Sequence, residues 1–178
     1  MPGKREIAFR KFLKNVPVLT LPIKITPFVD FSGGQADGLP NVYSEPDDTL
    51  FFKLTNGASR EVKGYGLLPD TANCFHVIVL EPFDIYQPFL VTYSKTGKEI
   101  SFDILAAGNC DGSMDCTETI FIRNDYTVYS TDTNIDRTLD EQGLPIPGKA
   151  KISVIYRTGE IPHTGKPMFS VEREKRVE

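Results

Sequence analysis

Phe89-Leu90-Val91-Thr92-Tyr93-Ser94-Lys95-Thr96-Gly97-Lys98-Glu99-Ile100-Ser101-Phe102 is the stretch that decides the fold. Runs of β-branched and aromatic residues stand on either side of Ser94-Lys95-Thr96-Gly97, and that composition favours strands. The glycine sits where a type I turn followed by a left-handed residue requires one. The stretch is therefore a hairpin, and hairpin-joined strands are antiparallel. Strands are expected near residues 88–94 and 98–106, with Gly97 left-handed because the turn leaves little room for a Cβ.

The same residue bias predicts further strands near 62–68, 74–81, 117–123, 126–132 and 150–157. Asn124-Asp125 and Arg157-Thr158-Gly159 both read as tight turns between them. The spacing Tyr93-x3-Gly97-x2-Ile100 is faintly echoed by Tyr156-x2-Gly159-x-Ile161, too loosely for a repeat protein. Near the start, Phe9, Phe12, Leu13 and Val16 recur at helical spacing, so residues 5–15 form a short amphipathic helix ended by Asn15 and Pro17. The period then changes. Leu19, Leu21, Ile23 and Ile25 alternate with Thr20, Pro22, Lys24 and Thr26 and are expected to face the core, with Pro22 either placing this strand at a sheet edge or facing away from its neighbour. Residues 27–47, rich in Gly and Pro, read as a long loop, and Asp48 as the cap of a short helix through Leu50, Phe51 and Leu54, stopped by Asn56 and Gly57, although the same residues would also make a strand. The expected fold is mainly β with a minor α part: a twisted antiparallel meander sheet with the N-terminal helix packed on it. One domain spans 1–178, with 1–4 a disordered or vector-derived start and 172–178 a charged tail.

A chain of 178 residues, 40% hydrophobic and 11% aromatic, can build a core without a metal. Its net charge of -4 comes from interspersed acids and bases. Without a basic stripe to neutralise phosphates, nucleic acid is excluded as a partner. No apolar run reaches the roughly 18 residues of a membrane-spanning helix, and the start lacks the apolar segment of a signal peptide. Either the chain is cytosolic or a targeting segment has been removed.

The N-terminal helix leading into Val18-Leu19-Thr20-Leu21-Pro22, the Gly64-Tyr65-Gly66 segment, and Leu90 to Ile100 in that order resemble uncharacterised lipoproteins of Bacteroidetes bacteria. The resemblance implies export to the periplasm or outer membrane and a lipid anchor on the full-length precursor. It implies no catalytic residues.

Cys110 and Cys116 flank Asp111-Gly112-Ser113-Met114-Asp115, a spacing that suits a disulfide across a loop, two unconnected thiols, or two metal ligands. Zinc needs further soft or imidazole ligands, and only Cys74, His76 and His163 remain to supply them. In an exported chain the expectation is a Cys110–Cys116 disulfide with Cys74 as a buried free thiol. Asp111, Ser113, Asp115 and Glu118, and likewise Asp132, Asn134 and Asp136, fail as calcium loops because the turn glycine and the bidentate glutamate are missing; both sets read as solvated acidic loops. His76 reads as a hydrogen-bonded strand residue, and His163 as part of a surface turn. No nucleophile elbow, dinucleotide fingerprint or phosphate loop is present. No catalytic, cofactor or metal residues are assigned. The function expected is a non-catalytic binding or accessory module of the cell envelope that meets a protein or glycan through aromatics exposed on the wet face of the sheet. The rivals are a hydrolase-type enzyme using the 27–47 loop with His76, and an inhibitor or immunity-type protein.

Overall fold

A computed structural model describes residues 2–43, 46–52, 61–108, 110 and 115–177. The helix α1 runs over Lys4–Asn15 and buries Ala8, Phe9 and Phe12. Its outer face is held by an exposed Glu6–Arg10 pair at 2.7 Å. After it come β1 (Ile23–Ile25), the one-turn helix α2 (Pro27–Phe31) and a 3-10 turn at Pro46–Leu50. The remaining chain is almost all strand: β2 (Lys63–Leu67), β3 (Phe75–Pro82), β4 (Tyr86–Tyr93), β5 (Glu99–Ile104), β6 (Cys116–Ile122), β7 (Thr127–Leu139), β8 (Pro145–Glu160), β9 (Met168–Phe169) and β10 (Arg173–Val177).

These strands form two antiparallel sheets. The small sheet is the meander β2-β3-β4-β5, and the large one has the order β1-β6-β7-β8-β10 with β9 also on β8. Both faces of β3 are apolar, and every residue from His76 to Glu81 is buried. Val77 and Val79, with Val91 and Tyr93 of β4, pack against Phe9, Phe12 and Val16 and against Phe51 and Phe52. Ile78, Leu80 and Leu90 turn the other way, onto Ile23, Ile25, Ile120, Ile122 and Val128 of the large sheet. The molecule thus has three layers: helix, small sheet, large sheet. Each fully buried Ile, Leu or Phe in these two cores stabilises by roughly 1.5–3 kcal/mol.

The mainly β antiparallel fold with a short helix packed on it is as expected, but its strands divide between two sheets because an apolar strand needs a covering layer on each face. The decisive hairpin forms as read. Gly97 has φ +75°, its N–H donates to Ser94 O at 3.0 Å, and a Cβ there would lie 2.6 Å from Phe9 Cβ. The Asn124-Asp125 turn also forms, with Tyr126 at φ 64°. Along 19–25 the alternation of burial holds, although regular pairing is confined to Ile23–Ile25, and Leu19 and Leu21 are only half-buried. As Pro22 suggests, β1 is an edge strand.

Five expectations are corrected. Residues 27–47 are not one long loop: Pro27 occupies the first turn of α2, and Val42 N–H and Pro40 O bond to Val62 and Gly64. Arg157-Thr158-Gly159 is no turn but lies inside β8, where Phe169 fills the space that a Cβ on Gly159 would need. The chain turns into β8 at 140–144, with Gly143 at φ +78° and Asp140 N–H bonded to Leu144 O at 2.8 Å, and the reversal that follows β8 comes after Glu160, where β9 pairs back onto it. Lys4 already belongs to α1, and most of the segment expected as a charged tail is the strand β10, whose backbone pairs with β8 while its side chains stay exposed. The expected helix beyond Asp48 is a 3-10 turn that buries Asp48; Leu54, Asn56 and Gly57 lie outside the described residues.

Candidate functional site

The entrance to β6 carries the most unusual chemistry. Cys110 and Cys116 come to disulfide distance, with Cα atoms 5.7 Å apart, while Cys74 is free and buried. Asp111, Gly112, Ser113 and Met114 lie outside the described residues. Two residues into β6, Glu118 faces Asp132 of β7 in direct register, and both are buried, at 3% and 1% exposure. This corrects the reading of Glu118 and Asp132 as parts of solvated acidic loops. Each occupies an inward position of a regular strand, in line with Ile120, Ile122 and Val128, and the sheet's alternation carries it into the interior.

Burial, reinforced by the Asp132 charge and opposed by the Ala107 N–H and by Arg157, pushes the Glu118 carboxyl up to about 8. Its Oε1 has no hydrogen-bond partner. Gly108, at φ +75°, allows the backbone to pass directly over Asp132, where any Cβ would collide with that side chain. Beside them a cavity of about 280 Å³ is lined by Phe83, Gln87, Phe89, Ile104, Gly108 and Glu118, among others. Phe83 and Phe89 stack at 6.3 Å. Among the described residues, the one cluster with metal-ligating atoms close together is Cys110, Cys116 and Asp132. It does not include Cys74, His76 or His163, the partners that zinc chemistry would have required of the sequence.

His76 is a second polar node, at the end of the inter-sheet core. Pro162 O, 3.0 Å from Nε2, can only accept, so Nε2 carries the proton and Thr92 Oγ1 donates to Nδ1 at 3.0 Å. Burial lowers its proton affinity, which the Pro162 carbonyl only partly offsets. Cys74 Sγ stands 3.3 Å from Nε2, and burial pushes its thiol up. A neutral imidazole with both nitrogens occupied, beside a protonated thiol, is a clamp joining β3, β4 and the segment after β8, and holds no activated nucleophile. His163 is exposed, as a surface turn requires, and its Nδ1 bonds to Asp70 Oδ2.

The third feature is the outer face of the large sheet. Across β6, β7 and β8 the register sets Phe121, Tyr129 and Thr158 in one row, Thr119, Thr131 and Tyr156 in the next, and Thr117, Thr133 and Val154 in a third. None of these carries a charge. The Tyr129 and Tyr156 rings lie 6.4 Å apart, and Tyr129 is 41% exposed. Lys24, Arg173 and Lys175 border the rows. At one end a shallow depression of about 570 Å³ is lined by Arg123, Thr127, Tyr129, Thr158, Glu160 and Met168, among others. On this face Thr117, Tyr129 and Thr158 are exposed, and Phe121 and Tyr156 are half-buried among their neighbours. The aromatics expected on the wet face of a sheet are therefore present as Phe121, Tyr129 and Tyr156, whereas Phe89, Tyr93 and Phe102 pack in or against the core under α1.

No family model, curated protein or solved structure matches the chain. Sequence reasoning missed the Glu118–Asp132 pair. The signal was in plain view: Glu118, Ile120 and Ile122 share one parity of a strand, so a carboxylate stands in the buried row.

Proposed function

We propose that this chain is a non-catalytic binding or accessory module of the bacterial cell envelope, periplasmic or held at the outer membrane by a lipid on its precursor, and that it binds a neutral glycan on the outer face of its large sheet. The observation that carries the reading is the uncovered lattice of Phe121, Tyr129 and Tyr156 among threonines. Tyrosine offers a flat apolar ring with a polar tip. Threonine hydroxyls both donate and accept. Sugar rings present the complement, apolar C–H faces edged by hydroxyls. The uncharged centre favours a neutral ligand over an anionic one. Support for the envelope comes from the resemblance to Bacteroidetes lipoproteins and from a cysteine pair at disulfide distance, which belongs in an oxidising compartment.

Affinity electrophoresis tests the reading. The protein should be retarded in gels containing a neutral glucan, mannan or xylan more than in gels containing an acidic polysaccharide. Tyr129→Ala/Tyr156→Ala should migrate freely in all of them. Retardation that survives the double substitution would remove the outer face from consideration, and binding to an envelope protein in place of any glycan would change the partner class.

A further inference from the structure

We propose that the outer face of α1 is a docking surface for an anionic phospholipid membrane, so that the molecule lies helix-down on a bilayer with the outer face of its large sheet turned away from it. The inference rests on the envelope part of the proposed function and is independent of the glycan.

Three observations converge. First, positive charge is gathered on this helix. Acids and bases are interspersed along most of the chain, but α1 holds Lys4, Arg5, Arg10, Lys11 and Lys14 against a single acid, Glu6. That is a net of +4 in a chain whose net is -4, so the remaining residues carry -8. All five bases are exposed. The other basic run, Arg173, Lys175 and Arg176, is interrupted by Glu174, which stands 3.9 Å from Arg176. Such an asymmetry gives one side of the molecule an attraction for anionic surfaces that the net charge hides.

Second, helix stability does not account for these bases. Lys14, in the last turn, suits the helix dipole, but Lys4 and Arg5 stand in the first turn, where the positive end of the helix repels them. A phosphate-bearing surface relieves that repulsion. Third, Ile7 is 56% exposed, although the apolar stripe of Ala8, Phe9 and Phe12 is buried on the other side of the helix. At helical spacing its neighbours are Lys4, Arg10 and Lys11, with Lys14 two turns along. An aliphatic side chain ringed by cations matches the boundary of a bilayer, where the cations meet headgroups and the aliphatic group meets the acyl region.

The layering leaves this face available to a flat surface. The small sheet lies beneath α1 and the large sheet beneath that, so the helix is an outermost layer. The groups that oppose docking are Glu6, taken up by Arg10 at 2.7 Å, and Asp47, exposed on the 3-10 turn beside α1. They are too few to cancel the bases.

Vesicle flotation tests this on the full chain, with vesicles of phosphatidylcholine alone and of phosphatidylcholine mixed with phosphatidylglycerol. Neither carries polysaccharide, so this test and the retardation in glycan gels fail independently. The protein should bind the mixed vesicles at low salt at least tenfold more tightly than the neutral ones, and be released at about 1 M salt, where the screening length falls to about 3 Å. Lys4→Gln/Lys14→Gln should weaken binding roughly 25-fold, about fivefold for each base removed from an anionic surface. Lys151→Gln/Lys166→Gln, at two exposed bases elsewhere, should leave it unchanged. Because the chain has no Trp, a single introduced Trp reports its own surroundings. Emission of Ile7→Trp should shift to the blue on the mixed vesicles, and that of Tyr129→Trp should not. No binding to the mixed vesicles, equal binding to both kinds, or unchanged binding by Lys4→Gln/Lys14→Gln would overturn the proposal, as would a blue shift at Tyr129→Trp in place of Ile7→Trp or equally tight binding of duplex DNA by the same face.

Discussion

The two sheets are built from similar residues but carry them in different order. In the small sheet Val77-Ile78-Val79-Leu80 is an unbroken apolar run, buried on both sides by α1 and by the large sheet. In the large sheet Thr117-Glu118-Thr119-Ile120-Phe121-Ile122 alternates, and only its even-numbered positions face the core. The first pattern closes a sheet on both sides. The second leaves one face free for a ligand. A middle layer can hold the fold together but cannot meet a partner, so function is sought on the outer layer.

The largest test of this contrast is in the middle layer's cover. Phe9 is fully buried and packs against Phe51, Phe75 and Tyr93. Phe9→Ala should cost about 3–5 kcal/mol in denaturant unfolding, whereas Thr119→Ala on the free face should cost under about 0.5 kcal/mol. Similar costs for the two would erase the distinction between the layers.

The next effect separates the two faces of one strand. Glu118 has an ordinary carboxyl value of 4.5 and is raised to about 8 in the fold by burial first and Asp132 second. The folded chain therefore binds the proton more tightly than the unfolded one. The stability this contributes is fully present below pH 4.5 and is lost as pH rises toward 8, on the order of a few kcal/mol. Glu118→Gln should flatten that slope and be the more stable protein at pH 8. Thr117→Gln and Thr119→Gln, one residue away on the outer face, should leave the slope in place. A pH dependence between 5 and 8 that is the same in wild type and in Glu118→Gln would contradict the buried carboxyl, because the rising contribution of the buried neutral His76 is common to both.

Smaller again is the cysteine pair. Replacing Cys110 and Cys116 together by Ser should cost about 2–2.5 kcal/mol, the chain-entropy value for so short a loop. Mass spectrometry of native protein should find these two linked and Cys74 free. Gly97→Val comes last among the stability changes, at about 1–2 kcal/mol for the left-handed backbone, or more if Phe9 cannot move away from the new Cβ. A Gly97→Val protein as stable as wild type would mean that the hairpin does not dock on α1.

Much of this arrangement was legible in the residues. Phe9, Phe12 and Val16 announced the helix and its buried face. Ser94-Lys95-Thr96-Gly97 announced the hairpin and its handedness. What stayed hidden depends on partners distant in sequence. Gly159 looks like a turn glycine until Phe169 is brought against it. Arg173 to Val177 look like a tail because every side chain is exposed, yet the backbone of β8 gives them a ladder to join. Glu118 and Asp132 look solvated as long as each is taken with its chain neighbours, and become a buried pair only when β6 and β7 are set in register. Local turn and period signals were readable; pairings across the sheet were not.

The measurement that bears most directly on the account is hydrogen–deuterium exchange of the intact chain, with and without the neutral polysaccharide that retards it. Ligand bound on the free face should slow exchange in peptides covering 117–133 and 154–158, and leave those covering β3, β4 and α1 as they were. Protection confined to the small sheet, to the Phe83–Phe89 segment, or to no part of the chain at saturating polysaccharide would contradict the assignment of function to the outer face of the large sheet.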